Sequence, residues 1–314
     1  MGAHHHHAGD HGDHDHGHPH HAHGSHGMAF GLGVALNALF VLVEAGYGFL
    51  SGSMALVADA GHNLSDVLGL LIAWGADSLS ARPASERFTY GYKSSSILAA
   101  LINSALLTLT IGAIGAETIR RFFNPEPVAG QTMMIVAAIG IAINVFTAML
   151  FLKGSRHDIN LRGAFIHMVG DAAVSAAVVV AGLLILWTGQ VWIDTLTGLI
   201  IVAVIGWSTW GLAREAVKMG LLGVPARIDM GTVRALLMQQ PGVIAVHDLH
   251  VWPMSTKETA LTAHLIMPQG SPGDGFLHAL ADDLEHRFGI GHATLQVETA
   301  DGPCHAAAMH GHTH

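Results

Sequence analysis

The amino-acid sequence predicts an all-α membrane domain of six helices, followed by a small α+β domain. Hydrophobic residues make up 51% of the 314-residue chain and charged residues only 12%, whereas a soluble globular protein carries about 25% charge. From Met28 onwards, six apolar segments each come close to the ~20 residues needed to cross a bilayer. After about Leu222 these segments give way to short amphipathic ones. We therefore divide the chain into a six-span transmembrane domain, 28–220, and a cytosolic domain, 221–300.

Both ends of the chain are rich in histidine. Twelve of the 25 histidines lie within residues 1–27, and four lie in the C-terminal tail 301–314. Residues 1–27 show no apolar periodicity and are predicted to be disordered. The interspersed Asp10, Asp13 and Asp15 favour a native tail over a purification tag. Such a tail either collects metal for the rest of the protein or binds it without consequence.

The basic residues predict how the spans are oriented. We place the spans near 28–50, 54–79, 96–118, 131–153, 160–187 and 192–216. With a cytoplasmic N-terminus, eight basic residues lie at the cytoplasmic connections and helix ends, against two outside, as the positive-inside rule requires. The eight are Arg82, Arg87, Lys93, Lys153, Arg156, Arg162, Arg214 and Lys218, and the two are Arg120 and Arg121. Both termini are therefore predicted to be cytoplasmic.

The part of the chain after Leu222 predicts the element order αββαβ. Alternation of apolar residues indicates strands, and apolar residues three and four apart indicate amphipathic helices. A core of roughly 80 residues is small for an independent domain, which favours dimerisation. The helices are predicted at 232–240 and 273–288, and the strands at 243–252, 259–267 and 292–299.

Two His-x-x-x-Asp pairs stand inside apolar spans and carry the strongest functional signal. His62 and Asp66 belong to the second span, and His167 and Asp171 to the fifth. Residues four apart lie on the same face of a helix. Because the two spans run in opposite directions, both pairs reach a similar depth. Ionisable groups in hydrocarbon are costly, and such residues are functional candidates by default.

If the two spans touch, two imidazoles and two carboxylates meet, which is enough for one tetrahedral metal site. This donor set suits Zn²⁺, and also Co²⁺, Ni²⁺ or Cd²⁺. A single pair of this kind is explained equally well by a hydrogen bond between packed helices. Two pairs at matched depth favour metal binding. Because ligands must lose protons to bind metal, the same site predicts exchange of metal for protons.

Four further polar residues in the spans are candidates for lining an ion path. Each is explained equally well by a packing hydrogen bond or an interfacial position. They are Glu44 on the first span, Asp59 one turn before His62, Asn144 on the fourth span and Asp194 at the start of the sixth.

Other classes of function fit the sequence less well. The chain has no His-Glu-x-x-His motif, and four protein ligands would close the metal site to the water that a metallohydrolase needs. It also lacks a Gly-rich phosphate loop, which argues against ATP as energy source. The net charge of -9 argues against nucleic acid as a partner. The remaining alternative is a membrane-anchored metal sensor or storage protein that uses its histidine-rich tails and cytosolic domain.

The paired motifs, the run from Gly52 to His62 before the first pair, and the run His247-Asp248-Leu249-His250-Val251-Trp252 resemble the cation diffusion facilitator family. Within it the chain is most similar to the bacterial zinc-exporting branch. The resemblance extends from Met28 to Cys304. It implies a homodimeric Zn²⁺/H⁺ antiporter of the bacterial inner membrane, with a metallochaperone-like cytosolic domain.

The resemblance also implies a second metal site in the cytosolic domain. Its residues here are His247, His264 and Glu298, and Cys304 with His305 completes it. The zinc bound there is structural or regulatory. Gln296 stands where some relatives have a histidine ligand, so a binuclear cluster is not expected.

Overall fold

The computed structural model describes residues 23–152 and 159–299 of the chain. Six long helices are followed by a small mixed domain, which confirms the predicted fold class. The helices of the first part are α1 (His23–Ser51), α2 (Met54–Ser80), α3 (Ser95–Phe123), α4 (Gly130–Leu152), α5 (Ile159–Thr188) and α6 (Trp192–Gly220). The elements of the second part are α7 (Met230–Met238), β1 (Ala245–Pro253), β2 (Thr259–Ile266), α8 (Asp274–Phe288) and β3 (His292–Glu298).

Five of the six long helices, α2 to α6, are long and apolar enough to cross a membrane. In α1 the apolar part, within the described side chains, is the shorter segment Ala35–Ser51. Large apolar side chains such as Leu109, Trp187 and Trp207 are exposed on these helices. Exposed apolar surface of this extent is what helices facing lipid require.

Several helices extend beyond the apolar segments that predicted them. The third and sixth spans were predicted to end near 118 and 216, but α3 continues to Phe123 and α6 to Gly220. Their last turns carry Arg120, Arg121 and Lys218. Basic side chains at a helix C-terminus interact favourably with its dipole, so helical hydrogen bonding continues where apolarity stops. At the other end of the chain, α1 begins at His23, so the helix starts inside the segment 1–27 that was predicted to be disordered. Adding a residue to an existing helix costs less than starting one, so a stable span can extend into a polar segment.

Helix α2 occupies a central position in the membrane domain. It contacts α1, α3, α5 and α6. The buried core includes Leu56 of α2, Phe40 of α1, Met133 of α4 and Val178 of α5. Helix α2 is therefore surrounded by several other helices.

The C-terminal domain (224–298) has a three-stranded sheet in the order β1-β2-β3. Strands β1 and β2 are antiparallel, and β2 and β3 are parallel and joined through α8. Apolar residues of both helices and of the sheet share one core, in which Leu237, Leu261, Leu265 and Leu284 are fully buried. The order αββαβ agrees with the prediction.

The loop between β1 and β2 (254–258) contacts the membrane domain near the end of α2 and the start of α3. Lys257 Nζ lies 2.6 Å from Asp77 Oδ1, and Lys93 pairs with Glu258. The Thr256 amide donates a hydrogen bond of 3.1 Å to Ser96 Oγ. The two domains are thereby joined at the end of α2.

Candidate metal sites

The two His-x-x-x-Asp pairs lie on α2 and α5 and meet between these helices. Within the pairs, His62 Nε2 is 3.3 Å from Asp66 Oδ2, and His167 Nε2 is 3.6 Å from Asp171 Oδ2. Between the helices, His167 Nε2 is 3.2 Å from Asp66 Oδ2, and His62 Nε2 is 3.8 Å from Asp171 Oδ1. The structure thus brings together all four residues that the sequence singled out.

Four of the distances within this group are close to those around a tetrahedral ion. A metal with bonds of about 2.0 Å to nitrogen and oxygen has ligand atoms roughly 3.3 Å apart. Four of the ligand–ligand distances are 3.2, 3.3, 3.6 and 3.8 Å. The two imidazoles stand at 77° to each other, with ring centroids 6.0 Å apart.

The hydrogen bonding of the group is incomplete. His62 Nδ1 is buried and has no hydrogen-bond partner among the described residues. Asp66 Oδ2 is also buried, and although it lies 3.2 Å and 3.3 Å from two imidazole nitrogens, it accepts no hydrogen bond of good geometry from either. Buried polar atoms are normally paired, so Asp66 Oδ2, which lies next to both imidazoles, is an acceptor that a bound cation would satisfy. The side chain of Asp171 is 5% exposed and that of His167 is 43% exposed. The opening of the group is therefore on the His167 side.

Asp59 connects α2 to α5 one turn from the four residues. Its Oδ2 accepts a hydrogen bond of 2.8 Å from Ser175 Oγ, and its Oδ1 accepts one of 3.3 Å from Asn63 Nδ2. All of Asp59 is buried. The bond to Ser175 joins the two helices that carry the His-x-x-x-Asp pairs.

Two other predicted path residues are buried without such partners. Glu44 is 0% and Asn144 is 2% exposed. Both carboxylate oxygens of Glu44 and Nδ2 of Asn144 lack a hydrogen bond within the described part of the chain. A path role for these residues stays a prediction.

Asp194 lies at the start of α6, where its carboxylate faces the start of α2. Its Oδ2 accepts a hydrogen bond of 2.6 Å from the Met54 amide, and its Oδ1 accepts one of 3.3 Å from the Ala55 amide. The Ser53 hydroxyl donates a further bond to Oδ1. Although Asp194 is 140 residues from Met54 in the chain, its carboxylate is hydrogen-bonded to the first turn of α2.

In the C-terminal domain, donor atoms of His247, His264 and Glu298 lie within 4.8 Å of one another. Each carboxylate oxygen of Glu298 is 3.0 Å from one histidine nitrogen. Partial burial raises the pKa of Glu298, but the hydrogen bond to His247 and the charges of both histidines outweigh it and hold that pKa below its ordinary value. Cys304 and His305, predicted to complete this group, lie outside the described residues.

Asp248 was not predicted to belong to this group. Its Oδ2 is 3.5 Å from His264 Nε2, and its Oδ1 is 2.9 Å from His250 Nε2. The residue has φ of 47°, in the left-handed region, where the register of β1 against β2 shifts. In the sequence Asp248 lies between His247 and His250, which could have suggested a role in the group. In a regular strand, however, its side chain would point to the opposite face of the sheet from His247. The irregular pairing of β1 with β2 instead places its carboxylate next to His264.

Comparison with known proteins gives matches over nearly the whole chain. Residues 32–219 match the family model described as the cation efflux transmembrane domain. Residues 225–300 match that of the cation efflux protein, cytoplasmic domain.

Several relatives align with this chain over most of both sequences. The zinc transporter ZitB of Escherichia coli K12 is 35% identical over 294 residues, which is 91% of this chain and 92% of that one. The cadmium, cobalt and zinc/H⁺-K⁺ antiporter of Bacillus subtilis 168 is 34% identical over 265 residues, with 83% and 85% covered. The metal cation efflux system protein CzcD of Cupriavidus metallidurans CH34 is 31% identical over 277 residues, with 88% and 87% covered.

Proposed function

The chain belongs to the cation efflux family of multi-pass membrane metal transporters, and we propose that it exports Zn²⁺ from the cytoplasm in exchange for protons. It works as a homodimer in a bacterial inner membrane with both termini in the cytoplasm. Cd²⁺, Co²⁺ and Ni²⁺ are further substrates, since cadmium and cobalt appear in the names of relatives and all three ions accept nitrogen and oxygen ligands.

The convergence of His62, Asp66, His167 and Asp171 carries this proposal. Two neutral imidazoles and two carboxylates bind a divalent ion without leaving net charge in the hydrocarbon. Two nitrogens favour Zn²⁺ over Mg²⁺ or Ca²⁺, which prefer all-oxygen sites. The absence of a thiolate in this group of four disfavours Cu⁺.

The same four residues couple metal to protons. Zn²⁺ binds to deprotonated ligands, so binding from the cytoplasm releases protons from the site. When the site opens to the other side and releases the metal, the ligands take up protons there. Return of the protonated site brings protons inward. Metal and protons exclude each other at one site, and alternating access then produces antiport.

The C-terminal domain has a supporting role in this proposal. His247, His264 and Glu298 bind a second Zn²⁺ that is structural or regulatory, with Cys304 and His305 as further ligands. The small three-stranded domain forms the dimer contact together with the membrane helices. Lipid is the other partner, and neither ATP nor nucleic acid takes part.

A vesicle assay tests the transport function. Purified full-length protein is reconstituted with a zinc-sensitive dye inside, and a pH gradient is imposed. We expect zinc uptake that depends on the gradient and is abolished by Asp66→Ala. Glu86→Gln is the matched control, because Glu86 is an exposed acid in the α2–α3 loop, and it should transport normally.

Two results would contradict the proposal. Equal flux through the wild-type and Asp66→Ala proteins would remove the four residues from the mechanism. Zinc binding without any gradient-dependent flux, in a protein that is folded and correctly inserted, would instead favour a sensor or storage protein.

A further inference from the structure

Asp194 serves as a cap for a helix to which it does not belong. The carboxylate on α6 accepts hydrogen bonds from the Met54 and Ala55 amides, at 2.6 and 3.3 Å, and from the Ser53 hydroxyl. Ser53 itself is the N-cap of α2, and its Oγ accepts a bond of 3.1 Å from the Leu56 amide. Two residues from different helices thus satisfy the free amides of one helix end.

This arrangement is strong for a physical reason. The first amides of a helix have no partner within the helix, and that end carries partial positive charge. Asp194 is 1% exposed, so its charge meets these amides away from bulk water, where electrostatic interactions are stronger. The contact therefore holds the start of α2 firmly against α6.

Close packing beside the carboxylate prevents α2 from sliding or turning. Gly198 lies one turn after Asp194, and a Cβ atom placed on it would be 3.2 Å from the Ala55 nitrogen. The backbones of α2 and α6 therefore touch at this point. From a third helix, Arg121 of α3 donates a hydrogen bond of 2.8 Å to the Gly52 carbonyl just before α2. The start of α2 is held in both depth and rotation.

The metal-binding residues lie on the helix that is held in this way. His62 and Asp66 follow Met54 on α2 by about two and three turns of 3.6 residues. Because a helix transmits rotation along its axis, the direction of these side chains depends on how the first turn is seated. A shift of about 1 Å in such groups is enough to impair a site.

We propose that Asp194 is a positioning residue for the transport site, which sets the rotation and depth of α2 so that His62 and Asp66 face His167 and Asp171. This rests on the proposed function. It differs from a role in the ion path, because both oxygens of Asp194 are already engaged by three donors. An oxygen that leaves these donors to bind a passing cation would free the start of α2.

Co²⁺ binding tests this role with a readout other than transport. Tetrahedral Co²⁺ absorbs visible light strongly, whereas octahedral Co²⁺ absorbs weakly. Full-length protein is titrated with Co²⁺, and the spectrum of the Asp66→Ala protein is subtracted to remove the tails and the C-terminal domain. The difference spectrum reports the transport site alone.

We expect Asp194→Ala to weaken the Co²⁺ affinity of this site about 10- to 100-fold, the range found for residues that orient metal ligands, and to reduce the tetrahedral band. Asp194→Asn keeps one acceptor oxygen and should fall between Asp194→Ala and the wild type. Ser53→Ala should weaken Co²⁺ binding in the same direction but by less. It replaces Asp194→Ala in the test if that variant does not fold. Thr209→Val is the control, because Thr209 is a buried α6 residue whose hydroxyl bonds within its own helix.

Several outcomes would overturn the role. If Asp194→Ala and Asp194→Asn lower zinc flux but leave Co²⁺ affinity and spectrum unchanged, Asp194 acts on the path and not on the site. If Thr209→Val weakens Co²⁺ binding as much as Asp194→Asn at equal loss of thermal stability, the effect is general destabilisation. If the wild-type difference spectrum contains no tetrahedral band, the proposed function fails and the positioning role fails with it.

Discussion

Lys257 in the C-terminal domain forms a salt bridge of 2.6 Å with Asp77 on α2, although 180 residues separate them in the chain. Asp77 lies on the same helix as His62 and Asp66, near its end at Ser80. The loop that carries Lys257 also connects β1 and β2, which hold His247 and His264. One short loop therefore contacts the helix that carries His62 and Asp66 and connects the strands that carry His247 and His264.

Loss of this charge pair should slow transport. We expect Lys257→Glu to lower the zinc flux about 1.5- to 5-fold, since an exposed pair contributes only about 0.2–1 kcal/mol. The double variant Lys257→Glu/Asp77→Lys should recover most of the flux. Arg287→Glu is the control, because its partner Asp283 lies on the same helix of the C-terminal domain. No recovery in the double variant would show that the pair itself does not matter.

Replacement of one imidazole should change which metals are carried. His62→Asp adds an oxygen ligand and removes a nitrogen, so the site should accept Cd²⁺ or Mn²⁺ more readily relative to Zn²⁺. Competition of each metal against zinc uptake in vesicles measures this preference. An unchanged order of competition would count against His62 as a ligand.

Asp248 should orient His264 in the C-terminal metal site. A carboxylate that accepts from the far nitrogen of a ligating histidine fixes the ring, and its loss typically lowers metal affinity 10- to 100-fold. We expect Asp248→Asn to weaken zinc binding in this range, as measured by titration of full-length protein that also carries Asp66→Ala. A loss as complete as that of His264→Ala would make Asp248 a ligand, and no loss would exclude both roles.

The stability of α7 should fall in acid through Asp229. The hydroxyl and amide of Thr232 donate hydrogen bonds to this carboxylate and lower its pKa. A group with a lowered pKa in the folded state stabilises the protein above its ordinary pKa of about 3.9, and this contribution is lost as pH falls through the lower value. Hydrogen exchange of the α7 amides, corrected for the intrinsic effect of pH, should rise over that range. Asp229→Asn keeps an N-cap and should remove the pH dependence.

The group of four residues on α2 and α5 could be predicted from the sequence to an unusual degree. Residues four apart share a helix face, and the apolar context identified both helices as spans, so His62 and Asp66 could be paired by spacing alone. His167 and Asp171 followed in the same way. The match in depth came from span boundaries and alternating direction, which are also local properties. The αββαβ order of the C-terminal domain followed from apolar periodicity.

Other features depended on contacts that no local pattern encodes. Asp194 was a candidate path residue in sequence, because its bonds to Met54 and Ala55 cross between helices that are 140 residues apart. Asp248 was overlooked because a regular strand alternates its side chains, and only the irregular pairing of β1 with β2 turns it toward His264.

The sequence by itself determined which residues are candidates for metal binding, because residue type and helical or strand periodicity are properties of neighbouring residues. The tertiary structure decided how those residues are held. Whether α2 meets α5, and at what rotation, depends on packing between distant segments, where a capping carboxylate, a close glycine contact and a loop salt bridge act together.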